Sequence, residues 1–187
     1  MPSRLEVYKC ITHELEYAER RWKETCEKAG TTYRPDNTKS VEEWLIFIKG
    51  YYDDAVSAAA HKPAYVEALH CVRKLAGLCF SCLLAHGAPF RNLNSPDGYF
   101  TQGPHAFDQV CMLIASERDY QDQLSPARTD GRKKTVPGYL CMFDTYLRRA
   151  IDGWTDNAGD RLALINIRKL AGIAVHCMED HGALYRD

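Results

Sequence analysis

Residues 72–91 read VRKLAGLCFSCLLAHGAPFR, and residues 167–186 read IRKLAGIAVHCMEDHGALYR. The two stretches align without a gap, so position 72 meets position 167, and Arg-Lys-Leu-Ala-Gly stands unchanged at 73–77 and 168–172. Self-similarity of this kind marks a duplicated structural unit. Upstream in the same register Ser40-Val41 meets Thr135-Val136, Trp44-Leu45 meets Tyr139-Leu140, and Tyr51 and Ala55 meet Tyr146 and Ala150. Further upstream the loops differ in length and the register changes; Ile11, Glu14 and Tyr17 then meet Ile114, Glu117 and Tyr120. The chain therefore divides into a first repeat unit over 1–91, a connector over 92–104 with Gly, Pro and Asn in turn-forming number, and a second repeat unit over 105–187.

Each copy reads as three helices. Helix A of the first copy opens on the capping box Ser3-x-x-Glu6 and carries Tyr8, Ile11, Leu15, Ala18 and Trp22 at alternating threes and fours, one apolar stripe. Helix B opens on Ser40-x-x-Glu43 and carries Val41, Trp44, Leu45, Ile48, Tyr52 and Ala55; in the second copy Thr135 takes the cap, with Pro137 tolerated in the first turn. Helix C runs through Leu69, Val72, Ala76, Cys79 and Leu83, matched by Leu164, Ile167, Ala171, Ala174 and Met178. It stops at His86-Gly87 and His181-Gly182, where glycine can take a positive φ. No segment alternates polar and apolar residues over a strand's length. The predicted fold is all-α: two tandem three-helix units packed as a pseudo-twofold helical bundle, with any ligand site between facing helices or at the junction of the copies.

At 187 residues, 45% hydrophobic and 26% charged, the composition is ordinary for a globular chain. A formal net charge of -1 supplies no overall basic field for genomic nucleic acid. With no long apolar run and a polar start over residues 1–6, neither a membrane span nor a signal peptide is expected, which places the protein in the cytoplasm. Of eight cysteines, Cys10, Cys71, Cys79, Cys82, Cys111 and Cys177 fall in helices among apolar neighbours, as small buried hydrophobes do. Cys79 and Cys82 make a CxxC, but it lies inside a helix and the second copy has Ala174 at the place of Cys79, so reduced core thiols are expected and no metal site.

Exposed faces have drifted between the copies: Asp53-Asp54 became Arg148-Arg149, and Leu84-Ala85 became Glu179-Asp180. Against that drift, the retained Arg73-Lys74 and Arg168-Lys169 sit in mid-helix beside core positions. Two readings stand: a guanidinium and an ammonium on one phosphate group, or a salt bridge to helix A through the retained Glu14 and Glu117. In the second helix A the stripe begins at Phe107, Val110 and Ile114 but runs into Glu117, Arg118 and Gln121. Polar groups entering such a stripe must be paired or line a wet cavity, unless the helix end simply meets solvent. His86 and His181 suit the negative end of a helix dipole, and with Arg91 and Arg186 they make an HGAxxR tail that either caps the helix or closes over an anion. Trp44, Tyr51, Tyr139 and Tyr146 are core aromatics or stacking surfaces for a base. The sequence holds no GxSxG, Walker-type or GxGxxG motif, and no catalytic residue is nominated.

The order ERDYQD (117–122), a polar loop, T-V-x-x-Y/W-L, YLxxA and then RKLAGxxxxCMEDHGAxxR resembles small phage-encoded proteins described as MazG-like, once per copy over nearly the whole chain. The resemblance implies an all-α nucleoside triphosphate pyrophosphohydrolase fold, commonly a dimeric helical bundle, that uses magnesium to hydrolyse nucleotides to the monophosphate. Such enzymes hold the metal with an EExxE helix and an ExxD helix, because hard cations need several carboxylate oxygens. Here helix B offers only Glu42-Glu43 and Asp53-Asp54, and helix C has Arg73-Lys74 and Arg168-Lys169 where the acids would stand. The substitution favours binding over hydrolysis, so the expectation is a nucleotide-binding protein with no resident cofactor; phage origin would make it a counter-defence protein that sequesters a nucleotide immune signal. The expected ligand-binding set is Arg73, Lys74, Arg168, Lys169, Glu14, Glu117, Tyr17, Tyr120, His86, His181, Arg91 and Arg186. Two alternatives are a magnesium-dependent pyrophosphohydrolase with Glu14, Glu117, Asp119 and Asp122 around the metal, and a protein-binding inhibitor of a host factor. A homo-oligomer is compatible with each.

Overall fold

A computed structural model describes residues 1–87, 89, 105–124 and 133–185. Among them the chain forms six α-helices and no strand: α1 (Arg4–Lys28), α2 (Val41–His61), α3 (Val66–His86), α4 (Ala106–Leu124), α5 (Val136–Gly153) and α6 (Gly159–His181). The all-α expectation holds. The connector over 92–104 and the candidates Arg91 and Arg186 lie outside the described residues.

Local chemistry sets the helix ends. The Ser3 amide donates to Glu6 Oε2 at 2.6 Å while the Glu6 amide donates to Ser3 Oγ at 3.3 Å, which satisfies two of the amides a helix start leaves open. At α2 the Ser40 amide donates to Glu43 Oε2 at 2.8 Å, and at α5 the Gly138 amide donates to Thr135 Oγ1 at 3.2 Å. Gly87 and Gly182 follow α3 and α6 with φ of 83° and 108°, a region that an L side chain rarely enters.

The burial pattern puts α3 and α6 at the centre. Leu75, Ala76, Cys79 and Phe80 on one, and Leu170, Ala171, Ala174 and Val175 on the other, are fully enclosed. These two helices pack on each other, α2 packs on α3 and on α5, and α5 packs on α6; α1 lies on α3 and α4 on α6. One contiguous core runs through both repeats. The expectation about membrane-spanning runs needs one amendment: Val66–His86 is long and apolar enough to cross a bilayer by length and composition, and most of that window is buried inside the protein. A helix that is apolar almost all round is what the centre of a bundle requires.

Two buried ion pairs tie this core together. Arg73 Nε donates to Glu14 Oε2 at 2.8 Å, with side-chain exposures of 2% and 6%. Arg168 Nη2 lies 3.2 Å from Glu117 Oε2, both side chains 3% exposed. The salt bridge from helix C to helix A is therefore present in both copies. Each arginine also reaches into the other copy: Arg73 Nη1 donates to the Leu184 carbonyl, and Arg168 Nη1 to the Pro89 carbonyl. Positions 89 and 184 correspond in the repeat alignment, so the exchange is reciprocal.

Removing one partner of a buried pair strands the other charge, at a cost of about 3–5 kcal/mol. Arg168→Ala is expected to lose about that much, lowering the melting temperature by roughly 6–20 °C for a chain of this size. The double variant Arg168→Met with Glu117→Leu, which leaves no orphaned charge, should recover most of the loss. Urea and thermal unfolding followed by circular dichroism read both, and a single variant that melts like the parent contradicts a structural role for the pair.

Candidate functional site

In the first repeat α1 and α2 both rest on α3 rather than on each other, and a cleft of about 130 Å³ opens between them with α3 as its floor. The approach of α1 to α3 is fixed at Gly77, where an added Cβ would lie 3.3 Å from Glu14 Cγ. The equivalent Cβ at Gly172 would lie 3.3 Å from Glu117 Cγ, which explains why the glycine survives in both copies. Beyond Glu14 the apolar stripe of α1 leaves the core. Leu15 and Ala18 are half-buried and Trp22 is 51% exposed, so they wall the cleft. The opposite wall is Trp44, Phe47 and Tyr51 of α2, and the floor includes Lys74 and Ser81 of α3.

Charges around the cleft are mostly compensated. Glu14 is held by Arg73, Glu19 accepts from Lys23 at 2.7 Å, and Asp36 pairs with Lys39, whose ammonium also lies 5.1 Å from the Trp44 ring centre. Lys74 differs. Its ammonium sits 5.1 Å from the centre of the Tyr51 ring, and among the described residues it meets no carboxylate. The Trp44 indole Nε1 is buried without a hydrogen-bond partner among the described residues, a cost built into this wall.

The second repeat keeps the frame and changes the filling. Lys169 lies 5.5 Å from the Tyr146 ring centre, as Lys74 lies over Tyr51. Where the first copy has Leu15, Ala18, Trp44 and Ser81, however, the second has Arg118, Gln121, Tyr139 and His176. Arg118 is buried and pairs with Asp122 at 3.1 Å and Glu179 at 3.4 Å; Glu179 in turn receives Arg4 of α1 at 2.9 Å. Gln121 Nε2 donates to Glu117 Oε1 at 3.3 Å and to the Lys169 carbonyl at 3.5 Å. Tyr139 donates to Asp180 Oδ2 at 2.5 Å and packs edge-on against His176, ring centres 5.1 Å apart. The polar groups that interrupt the stripe of α4 are thus paired in the interior and do not run out into solvent.

Of the expected ligand-binding residues, Glu14 and Lys74 line the cleft. Arg73 and Arg168 have their donors directed into the protein. Tyr17 is half-buried beneath Arg20, 5.8 Å from its ring centre, and Tyr120 is half-buried on α4. His86 and His181 donate from Nε2 to the carbonyls of Lys39 and Lys134, at 2.8 and 2.6 Å, and fasten the end of helix C to the segment entering helix B. Lys39, Phe47 and Trp22 were not singled out for the site from the sequence; comparing the copies by side-chain volume, as in Ala18 against Gln121 and Ser81 against His176, would have pointed to the cleft they line.

The magnesium shell that the resemblance implies can be tested against these residues. Glu14 and Glu117 are paired with arginines in different repeats, Asp119 receives Arg4 at 3.1 Å and Asp122 receives Arg118 at 3.1 Å. Among the described residues no three His, Cys, Asp or Glu side chains gather where they could hold one ion. These four carboxylates do not fit a shared metal. The cysteines are free thiols; burial pushes Cys79, Cys82 and Cys177 well above the ordinary range and Cys111 up to about 12, which leaves them protonated at neutral pH. Comparison with protein-family models, curated proteins and solved structures finds no match for the chain.

Thiol alkylation at pH 8, read by mass spectrometry, should therefore modify the exposed Cys141 first and leave Cys79, Cys82 and Cys177 untouched until denaturant is added. Rapid labelling of any of those three in the native protein contradicts this core.

Proposed function

We propose that this protein binds a small nucleotide-type ligand in the cleft of its first repeat and holds it without turnover. The observation that carries the reading is Lys74, a cation with no carboxylate partner among the described residues, set beside an aromatic-walled cleft. An ammonium in that position favours an anionic group, and flat apolar walls favour a ring. Stacking of a base on an aromatic side chain contributes about 1–3 kcal/mol, and a hydrogen bond to a charged group roughly 1.5–3 kcal/mol. The base would stand against Trp44, Phe47 and Tyr51, with its phosphate on Lys74 and Lys39 close by. Arg73 acts at one remove, by holding the Glu14 carboxylate in place.

The nucleotide class comes from the family resemblance, and so does the biological role, which is sequestration of a nucleotide signal by a phage protein. Binding without hydrolysis is supported by the arginine partners of the carboxylates that a magnesium shell would need. In the same reading the two repeats face each other about a pseudo-twofold axis. Support comes from the reciprocal arginine contacts and from pairs that recur in both halves, His86 with Lys39 and His181 with Lys134 among them.

Isothermal calorimetry against ATP, a cyclic dinucleotide and ADP-ribose, with and without magnesium, tests the reading. One molecule should bind per chain. Lys74→Met, which keeps the alkyl stem on Tyr51, should weaken that ligand at least tenfold, about 1.4 kcal/mol, whereas Lys169→Met in the filled repeat should leave affinity unchanged. Absence of binding, or equal losses from the two variants, sinks the proposal; magnesium-dependent release of pyrophosphate would replace it with the hydrolase.

A further inference from the structure

The two repeats offer a comparison that a single site cannot. Glu14, Ala18, Lys74 and Gly77 line the first cleft, and Glu117, Gln121, Lys169 and Gly172 are their counterparts. A Cβ on Gly172 would lie 3.2 Å from Gln121 Nε2, so the carboxamide lies on the glycine floor of its own repeat. From there its nitrogen donates both hydrogens, to Glu117 Oε1 and to the Lys169 carbonyl, at 3.3 and 3.5 Å, the long end of the hydrogen-bond range. In the first repeat the same glycine floor is present, with Leu15 Cδ2 3.8 Å from where a Gly77 Cβ would stand, and the counterpart of Gln121 is Ala18, whose single methyl brings no carboxamide to the floor. A carboxylate accepts about four hydrogen bonds and a carbonyl two, so an acceptor already bonded within the fold can still take a hydrogen from a ligand.

We infer that the Gln121 carboxamide is a built-in replica of the ligand's recognition group: the ligand of the first cleft sets a primary NH2, carried by a nucleobase amine or by a carboxamide, on Glu14 and the Lys74 carbonyl. The inference rests on the reading that the cleft is the ligand site, and it adds what that site selects. One nitrogen with two hydrogens serves both acceptors. A carbonyl oxygen in its place serves neither and faces a carboxylate, so oxo analogues are rejected. Rejection of this kind is strong, because it sets an oxygen lone pair against the carboxylate and carbonyl oxygens of the cleft floor.

Three nucleotide pairs that differ only in this group test it by calorimetry on the full chain: adenosine against inosine monophosphate, cytidine against uridine monophosphate, and nicotinamide against nicotinate mononucleotide. In at least one pair the NH2 member should bind ten times tighter or more, and the pair that binds tells base amine from carboxamide. Ala18→Gln, which transplants the replica, should reduce the affinity of that ligand at least tenfold, with circular dichroism and melting close to the parent. If both members of every binding pair bind alike while Ala18→Gln still blocks them, the cleft reading stands and the NH2 inference is wrong. If none of the six binds, or if Ala18→Gln folds and binds like the parent, the ligand is not in the cleft and both fall. The pairwise comparison uses the parent protein alone, so it decides the inference even if the variant fails to fold.

Discussion

A guanidinium taken out of water must find partners for its donors, because the effective penalty for a bare buried ion is several kcal/mol. Arg73 and Arg168 meet this demand in a particular way: each takes a carboxylate from helix A of its own repeat and a backbone carbonyl from the tail of the other. Neither repeat can satisfy its own arginine. The demand fixes helix A against helix C, draws each tail across the boundary between the copies, and makes the assembled core a condition for burying either charge. It also explains which residues resist drift. Arg, the Glu of helix A and the Gly one turn after Arg form one mechanical unit, since a Cβ at that glycine would press on the glutamate that the arginine needs.

Once this frame is fixed, the space between helices A and B can vary without loss of fold, and the two copies have used it differently. The second copy fills it with a bonded network: Arg118 between Asp122 and Glu179, Tyr139 on Asp180, Gln121 over Gly172. Through Glu179 and Asp119 that network also engages Arg4, so the first helix of the chain is fastened to the second repeat. The first copy leaves the space open, walled by rings, and beside it stands Lys74, which meets no carboxylate among the described residues. An open apolar cleft and an indole N–H without a partner among the described residues both cost stability, and a chain that has shown in its other half how to fill the space retains the costly version.

Much of this was legible in the sequence because it depends on local rules. Capping boxes at Ser3 and Ser40, a period near 3.6 and glycine after each helix C are nearest-neighbour statements, and the structure bears them out. The salt bridge to helix A was legible too, since an ion pair needs only two retained partners of opposite sign. The cleft was not. It depends on where the apolar stripe of α1 stops being core, and periodicity cannot tell a core wall from a cleft wall: Ile11 is fully buried and Trp22, on the same stripe, is half exposed. Nor does a motif record an omission. The informative letters were the small ones, Ala18 and Ser81, which signify only when set against Gln121 and His176.

The retained dipeptide Arg-Lys is where sequence and structure part most usefully. Read along the chain it is one basic motif, and a single anion between the two side chains is the natural thought. On a helix of 3.6 residues per turn, however, consecutive side chains point about 100° apart. Arg73 turns toward α1 and the opposite tail, and Lys74 turns toward Tyr51 of α2, so neighbours in the chain belong to different surfaces of α3. The arginine is retained because the core is unsatisfied without it. The lysine is retained on separate grounds, lying over an aromatic ring in both copies and beside an open cleft in the first. Core stability and the lining of the cleft therefore depend on adjacent positions that can be changed independently, which lets the duplicated unit keep one fold while the space between helices A and B differs between its two halves.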